Sequence, residues 1–148
     1  MPRDSIIFYV EDDSAMVRLV EKNLQRHSFP GKVIYFQYGE TFLDFLQQYS
    51  NLSKKPDRDI VILLDLNLMG ISGISVLGAI RQSSDMWIRQ LPVIVFSISS
   101  NPHDQEKCES LGCTAFLQKS FDDDRLIRAL QKIDAEKACV SESQFDGY

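Results

Sequence analysis

Short apolar runs alternate along the chain with stretches that carry helical spacing. The runs are Ile6-Ile7-Phe8-Tyr9-Val10, Val33-Ile34-Tyr35-Phe36, Ile60-Val61-Ile62-Leu63-Leu64, Val93-Ile94-Val95-Phe96 and a weaker Ala115-Phe116-Leu117. The first, third and fourth are apolar at every position and rich in β-branched residues. A strand reads this way when both of its faces are covered, as in a parallel sheet. Between the runs, Met16, Leu19, Val20 and Leu24 share one face of a helix predicted to start near Ser14. Phe42, Phe45, Leu46 and Tyr49 mark a second helix, and Val76, Leu77 and Ile80 a third. Asn101-Pro102 reads as the N-cap and first position of a fourth helix that ends at Leu111-Gly112. Asp122 to Asp124 place negative charge at the start of a fifth, with Leu126, Leu130 and Ile133 inside it.

The alternation is (βα)5. Right-handed crossovers with helices on both faces make a doubly wound α/β sheet the natural packing. The chain has 148 residues, about one domain's worth. Asn51 to Asp59 reads as a polar loop rather than a linker, and residues 138–148 as a C-terminal tail with no output domain. The tail is expected either to be mobile or to dock through Phe145 and Tyr148.

Composition narrows the function. Lys plus Arg is 16 against 21 Asp plus Glu, a net charge of −5. An acidic chain without a basic cluster is a poor candidate for binding nucleic acid or an anionic membrane. Three cysteines and two histidines at no metal-like spacing argue against zinc. Cys108, Cys113 and Cys139 read as inert thiols. The N-terminal apolar run of five residues is too short for a signal peptide or a membrane span, so a cytoplasmic location is expected.

The polar residues that follow each strand carry the chemistry. The first run ends in Glu11-Asp12-Asp13, the third in Asp65, the fourth in Ser97, and the fifth near Lys119. Open α/β sheets bind ligands beyond the carboxyl ends of their strands, where the strand order reverses. In the order 2-1-3-4-5, strands one and three adjoin there, and Glu11, Asp12 and Asp65 converge. Lys119 then lies two strands from Asp65, about 10 Å at the usual spacing, within reach of a long side chain. Three carboxylates in one crevice call for a cation. All-oxygen ligands at a shallow open site suit Mg²⁺, which keeps positions for a phosphoryl oxygen. With no activated Cys or Ser nearby, Asp65 is the candidate nucleophile of a phosphoryl transfer that forms an aspartyl phosphate.

At these residues the chain resembles the receiver domain of two-component response regulators, from about Ile6 to Lys137. The matching pieces are Phe8-Tyr9-Val10-Glu11-Asp12-Asp13, Leu63-Leu64-Asp65-Leu66-Asn67-Leu68-Met69-Gly70, Pro92-Val93-Ile94-Val95-Phe96-Ser97 and Ala115-Phe116-Leu117-Gln118-Lys119-Ser120. The resemblance implies a receiver domain over residues 1–137. In it, Glu11 and Asp12 are the acidic pair, with Asp12 the more direct Mg²⁺ ligand, and Asp65 takes a phosphoryl group from a histidine kinase or phosphotransfer protein. It also implies that the backbone carbonyl of Asn67 completes the metal ligands, that Lys119 and the Ser97 hydroxyl partner the phosphoryl group, and that Phe116 is the aromatic switch residue. Asn67 and Ser99 lie near enough in sequence to tune an attacking water. A downstream protein or a second copy would dock on the face made by the fourth helix, fifth strand and fifth helix. Stand-alone receivers that serve bacterial phytochromes are similar in the long loop before the third strand, in the Asp85 to Arg89 segment and in Lys119-Ser120.

Three departures stand out. Ser120 replaces the Pro that usually follows the lysine through a cis bond. Met69 stands where Pro is common, and Ser72 where Asp is common. A pseudo-receiver that binds without taking phosphate is the alternative. A phosphatase with an aspartate nucleophile fits less well, because its motif wants an Asp where Asn67 stands. An FMN module needs a phosphate-cradling loop where this chain has acids. Asp12, Asp13 and Ser14 also fit a plain helix cap. Trp87 reads either as a cover over the sheet edge or as an anchor for a partner.

Overall fold

The computed structural model describes residues 5–52, 59–98 and 101–146, with side chains as far as residue 136. Five strands, β1 (Ile6–Val10), β2 (Lys32–Phe36), β3 (Ile60–Leu64), β4 (Val93–Ser97) and β5 (Ala115–Gln118), form one sheet. The order is β2-β1-β3-β4-β5 and every pairing is parallel. This is the doubly wound sheet expected from the sequence. β1, β3 and β4 are buried throughout. β2 is an edge, and its Ile34 and Tyr35 face solvent.

Among the described residues six helices cover the sheet: α1 (Ser14–Arg26), α2 (Gly39–Ser50), α3 (Gly73–Arg81), α4 (Met86–Arg89), α5 (Pro102–Leu111) and α6 (Arg125–Asp146). Strand side chains alternate between two cores with a period of two. Phe8, Val10, Ile62, Leu64 and Val95 meet Phe42 and Leu46 of α2, Val76, Leu77 and Ile80 of α3, Ile88 of α4 and Cys108 of α5. Ile7, Tyr9, Val61, Leu63 and Phe96 meet Val17, Val20 and Leu24 of α1 and Leu126, Leu130 and Ile133 of α6. Each such side chain contributes ~1.5–3 kcal/mol by leaving water. The ends of the elements follow their capping residues. Asp13 accepts the Ala15 N–H, Asn101 accepts the His103 N–H, and Gly112 closes α5 in the left-handed region at φ 93°.

Four features differ from the sequence reading or settle it. Leu19 is exposed and Val17 takes its place on the buried face of α1. Residues 16, 17, 19 and 20 crowd around the helix boundary between core and solvent, so their spacing alone does not separate them. The Asp85 to Arg89 segment forms the single-turn helix α4, capped by Asp85, whose carboxylate accepts from Trp87 N and Ile88 N. One turn carries no periodicity to detect. There Trp87 stacks on Tyr49 with ring centroids 5.4 Å apart. Residues 138–146, read as a tail, continue α6 in helical backbone. Lys119–Ser120 is a trans peptide. The side chains of Cys139 and Phe145, and all of Tyr148 and Ser99, lie outside the described residues. So does 53–58 of the polar loop.

Candidate functional site at the carboxyl rim of the sheet

Strand pairing continues one residue past the strands and thereby fixes the site. The Asp65 N–H donates to Val10 O at 3.1 Å, and the Glu11 N–H donates to Phe36 O at 3.0 Å. Val10 pairs with Leu64, so Glu11 and Asp65 are the next residues of adjoining strands. Two strands away, the Lys119 N–H donates to Ser97 O at 2.7 Å. Glu11 and Asp65 keep the parity of Tyr9 and Leu63, which turns them to the α1 and α6 side of the sheet.

One carboxylate oxygen each from Glu11, Asp12 and Asp65 lies within 4.8 Å of the others. Glu11 and Asp65 are buried, and Asp12 is half-buried. Lys119 bridges the gap foreseen for it: Nζ lies 2.5 Å from Glu11 Oε1 and 3.5 Å from Asp65 Oδ1. Tyr9, buried in β1, donates its hydroxyl to the same Glu11 oxygen at 3.1 Å. Burial holds the Glu11 carboxyl above its usual range, and the neighbouring Asp65 adds to this while Lys119 opposes it. Burial, with Glu11 beside it, also raises the Tyr9 phenol far above its ordinary value. It stays a neutral donor.

Asp65 Oδ1 is buried and, among the described residues, accepts no hydrogen bond. The Lys119 ammonium lies 3.5 Å from it. Like charges about 4 Å apart repel by ~4 kcal/mol at an effective dielectric near 20. Three carboxylates and one ammonium therefore leave an excess of negative charge that a divalent cation neutralises. The donor set is all oxygen, and the orphaned Asp65 oxygen gives such an ion a ligand. The residues fit a hard cation.

The loop between β3 and α3 closes one side of the site. Met69, where a Pro would lack the proton, donates its N–H to Asp12 Oδ2 at 3.1 Å. Ser72 caps α3 by accepting the Ser75 N–H at 3.2 Å, the role an Asp would fill. Gly73 is obligatory for spacing: a Cβ there would stand 2.1 Å from the Asp65 carbonyl oxygen. Asn67 lies exposed in this loop.

The structure thus brings Glu11, Asp12, Asp65 and Lys119 together. Ser97 is fully buried at the end of β4, between the strands that carry Asp65 and Lys119. Phe116, opposite Val95, packs half-buried against the α2 to α5 core. Sequence reasoning missed Tyr9, whose i, i+2 relation to Glu11 was a usable signal. It also missed Glu40, which accepts the Ile71 N–H at 2.8 Å and had no local signal.

A doubly wound sheet of this order, with acids and a lysine gathered at its carboxyl rim, is the architecture of receiver domains. The response regulator receiver domain family matches residues 7–131, and the chain belongs to that family. The response regulator Rcp1 of Synechocystis is 33% identical over 130 residues, 88% of this chain and 86% of that protein. Among solved structures, the Mn²⁺-bound form of Rcp1 aligns at 34% identity and a TM-score of 0.68, over 88% of this chain and 92% of that one. The phosphorylated cyanobacterial phytochrome response regulator RcpA aligns at 32% identity and a TM-score of 0.69, over 88% and 91%. The chain is therefore a phosphoacceptor switch of two-component signalling. Receiver domains hold a divalent cation at such an acidic pocket. They exchange signals with histidine kinases and downstream effectors. Among the described residues, no helix is long and apolar enough to cross a membrane.

Proposed function

We propose that Asp65 is the phosphoacceptor, that Mg²⁺ is the ion held by Glu11, Asp12, Asp65 and the Asn67 carbonyl, and that residues 1–137 form the receiver unit. The observation that carries this is the buried Asp65 Oδ1, which among the described residues accepts no hydrogen bond and has Lys119 Nζ 3.5 Å away. An oxygen of Asp65 attacks the phosphorus of a phosphohistidine. The P–N bond breaks, its electron pair stays on the imidazole nitrogen, and that nitrogen takes a proton from solvent. When bound there, Mg²⁺ would supply charge neutralisation for the phosphoryl oxygens. Positioning and charge carry most of such a transfer.

Lys119 holds its ammonium between Glu11 and Asp65, where it pairs with an added phosphoryl oxygen. The Ser97 hydroxyl, on the intervening strand, is the second partner. Phe116 has no hydroxyl, so its switching rests on packing alone. The chemistry is performed on the chain itself, as self-phosphorylation and self-hydrolysis. The donor is a sensor histidine kinase or phosphotransfer protein. The surface of α5, β5 and α6 passes the change to a downstream protein or a second copy.

Incubation with Mg²⁺ and a phosphorylated histidine-kinase domain tests this reading. Peptide mapping is expected to place a hydroxylamine-labile phosphoryl group on Asp65. A stable modification at Ser97 or another hydroxyl would refute the assignment. Binding of the kinase without transfer would favour the pseudo-receiver.

A further inference from the structure

The start of α2 grips the loop that follows Asp65. Gly39, the first residue of α2, is buried, and a Cβ there would come within 2.6 Å of Val76 Cγ2 and 2.9 Å of Ile71 Cγ1. The helix end therefore sits directly on the loop and on α3. The next residue, Glu40, reaches across, and its Oε1 accepts the Ile71 N–H at 2.8 Å. The same oxygen lies 2.5 Å from where a Cβ of Gly70 would stand. Gly70 has φ +81°, a conformation that glycine adopts without strain. A bare left-handed glycine and an overlying carboxylate thus fit together as one clasp.

The loop is pinned at three points. Met69 N–H is held by Asp12 Oδ2, Ile71 N–H by Glu40 Oε1, and Gly73 N–H by Leu66 O at 3.0 Å. Asn67 lies within the pinned segment. Glu40 is in none of the contacts among the four site residues Glu11, Asp12, Asp65 and Lys119. Among the described residues its carboxylate meets the loop backbone at Gly70 and Ile71.

We propose that Glu40 is a positioning residue for the cation site. By clasping Gly70 and Ile71, it holds the β3–α3 loop in the arrangement that presents the Asn67 carbonyl, and so sets the affinity for the divalent ion without touching it. The inference rests on the proposed reading of Glu11, Asp12, Asp65 and the Asn67 carbonyl as the cation site. Its physical basis is pre-organisation: an irregular loop that must be ordered on binding subtracts that ordering from the affinity.

The test compares the full chain with Glu40→Ala and Glu40→Gln. Mg²⁺ affinity is read by calorimetry, and phosphoryl uptake from acetyl phosphate is followed as a function of Mg²⁺. The Ala variant is expected to weaken Mg²⁺ binding about tenfold, the scale of one lost hydrogen bond. Its uptake rate at saturating Mg²⁺ stays within about twofold of the parent, because a positioning role acts on assembly of the site and not on the transfer step. The Gln variant keeps an acceptor oxygen and restores most of the affinity. In the metal-free chain, hydrogen exchange at the Ile71 amide quickens in the Ala variant only. An Ala variant with parental affinity, or a Gln variant as weak as Ala, overturns the clasp and leaves the cation site standing. A parent chain that binds no Mg²⁺ overturns both.

Discussion

Lys119 Nζ lies 2.5 Å from Glu11 Oε1, although 108 residues separate the two. Both side chains are almost wholly excluded from water, at 4% and 1% exposure. A pair buried to this degree is held by its mutual charge, since either ion alone would face a desolvation penalty of several kcal/mol. Asp65 shares the same ammonium at 3.5 Å. Lys119 is therefore a structural counter-ion to both acids.

Lys119→Met keeps much of the stem and removes the charge. It is expected to lower the stability of the metal-free chain by ~3–5 kcal/mol, because two acids are left buried without their cation. Urea unfolding with and without Mg²⁺ checks this. Mg²⁺ should recover part of the loss, and equal losses in both conditions would contradict it.

The Glu11 carboxyl titrates above its unfolded value, through burial and the nearby Asp65. A group with a raised folded pKa contributes stability below its unfolded pKa and loses it as pH climbs through the folded one. Metal-free stability should therefore decline from the ordinary carboxylate range upward. A bound Mg²⁺ takes the deprotonated carboxylate, so its stabilising effect grows over the same interval. Thermal melts across pH with and without Mg²⁺ read the difference, and a Mg²⁺ shift independent of pH would count against the account.

Two glycines of α3 give opposite expectations. Gly73→Ala drives a Cβ to 2.1 Å from the Asp65 carbonyl and 2.6 Å from Leu66 Cα. It should cost ~1–3 kcal/mol by overpacking and should weaken Mg²⁺ binding through the displaced Asp65 backbone. Gly78→Ala meets nothing within 4 Å and lies mid-helix. It should stabilise by ~0.5–1 kcal/mol with Mg²⁺ binding unchanged. Calorimetric melting of both variants, with a Mg²⁺ titration of each, settles the pair.

Burial pushes the Cys108 thiol up to about 11, and the side chain is inaccessible. At pH 8 only about one molecule in a thousand would carry the thiolate. Cys108 should resist a disulfide reagent in the native chain and react promptly in urea. Peptide mapping after timed labelling distinguishes it from half-buried Cys113.

Much of this molecule is legible in its sequence, for physical reasons. Asp65 follows five apolar residues of a strand covered on both faces, so its charge needs a partner. Glu11 ends the neighbouring strand in the same way, and parallel register brings the two together. The exposure of Leu19 is not legible, because four apolar residues straddle one boundary of the helix face. The single turn of α4 gives no period, although Asp85 supplies its cap. Glu40 escaped because its partner, Ile71, lies 31 residues away and meets it only once Gly39 has packed α2 against the loop. Long-range packing of this kind leaves no local pattern.

We propose that the rim acids, the lysine and a divalent ion together make Asp65 a phosphoryl acceptor. Intact-mass measurement of the chain after incubation with acetyl phosphate and Mg²⁺ tests it most directly. The account predicts one added phosphoryl group on the parent chain, none without Mg²⁺, and none on Asp65→Asn. An unmodified parent chain, or an Asp65→Asn chain modified to the same extent, would contradict it.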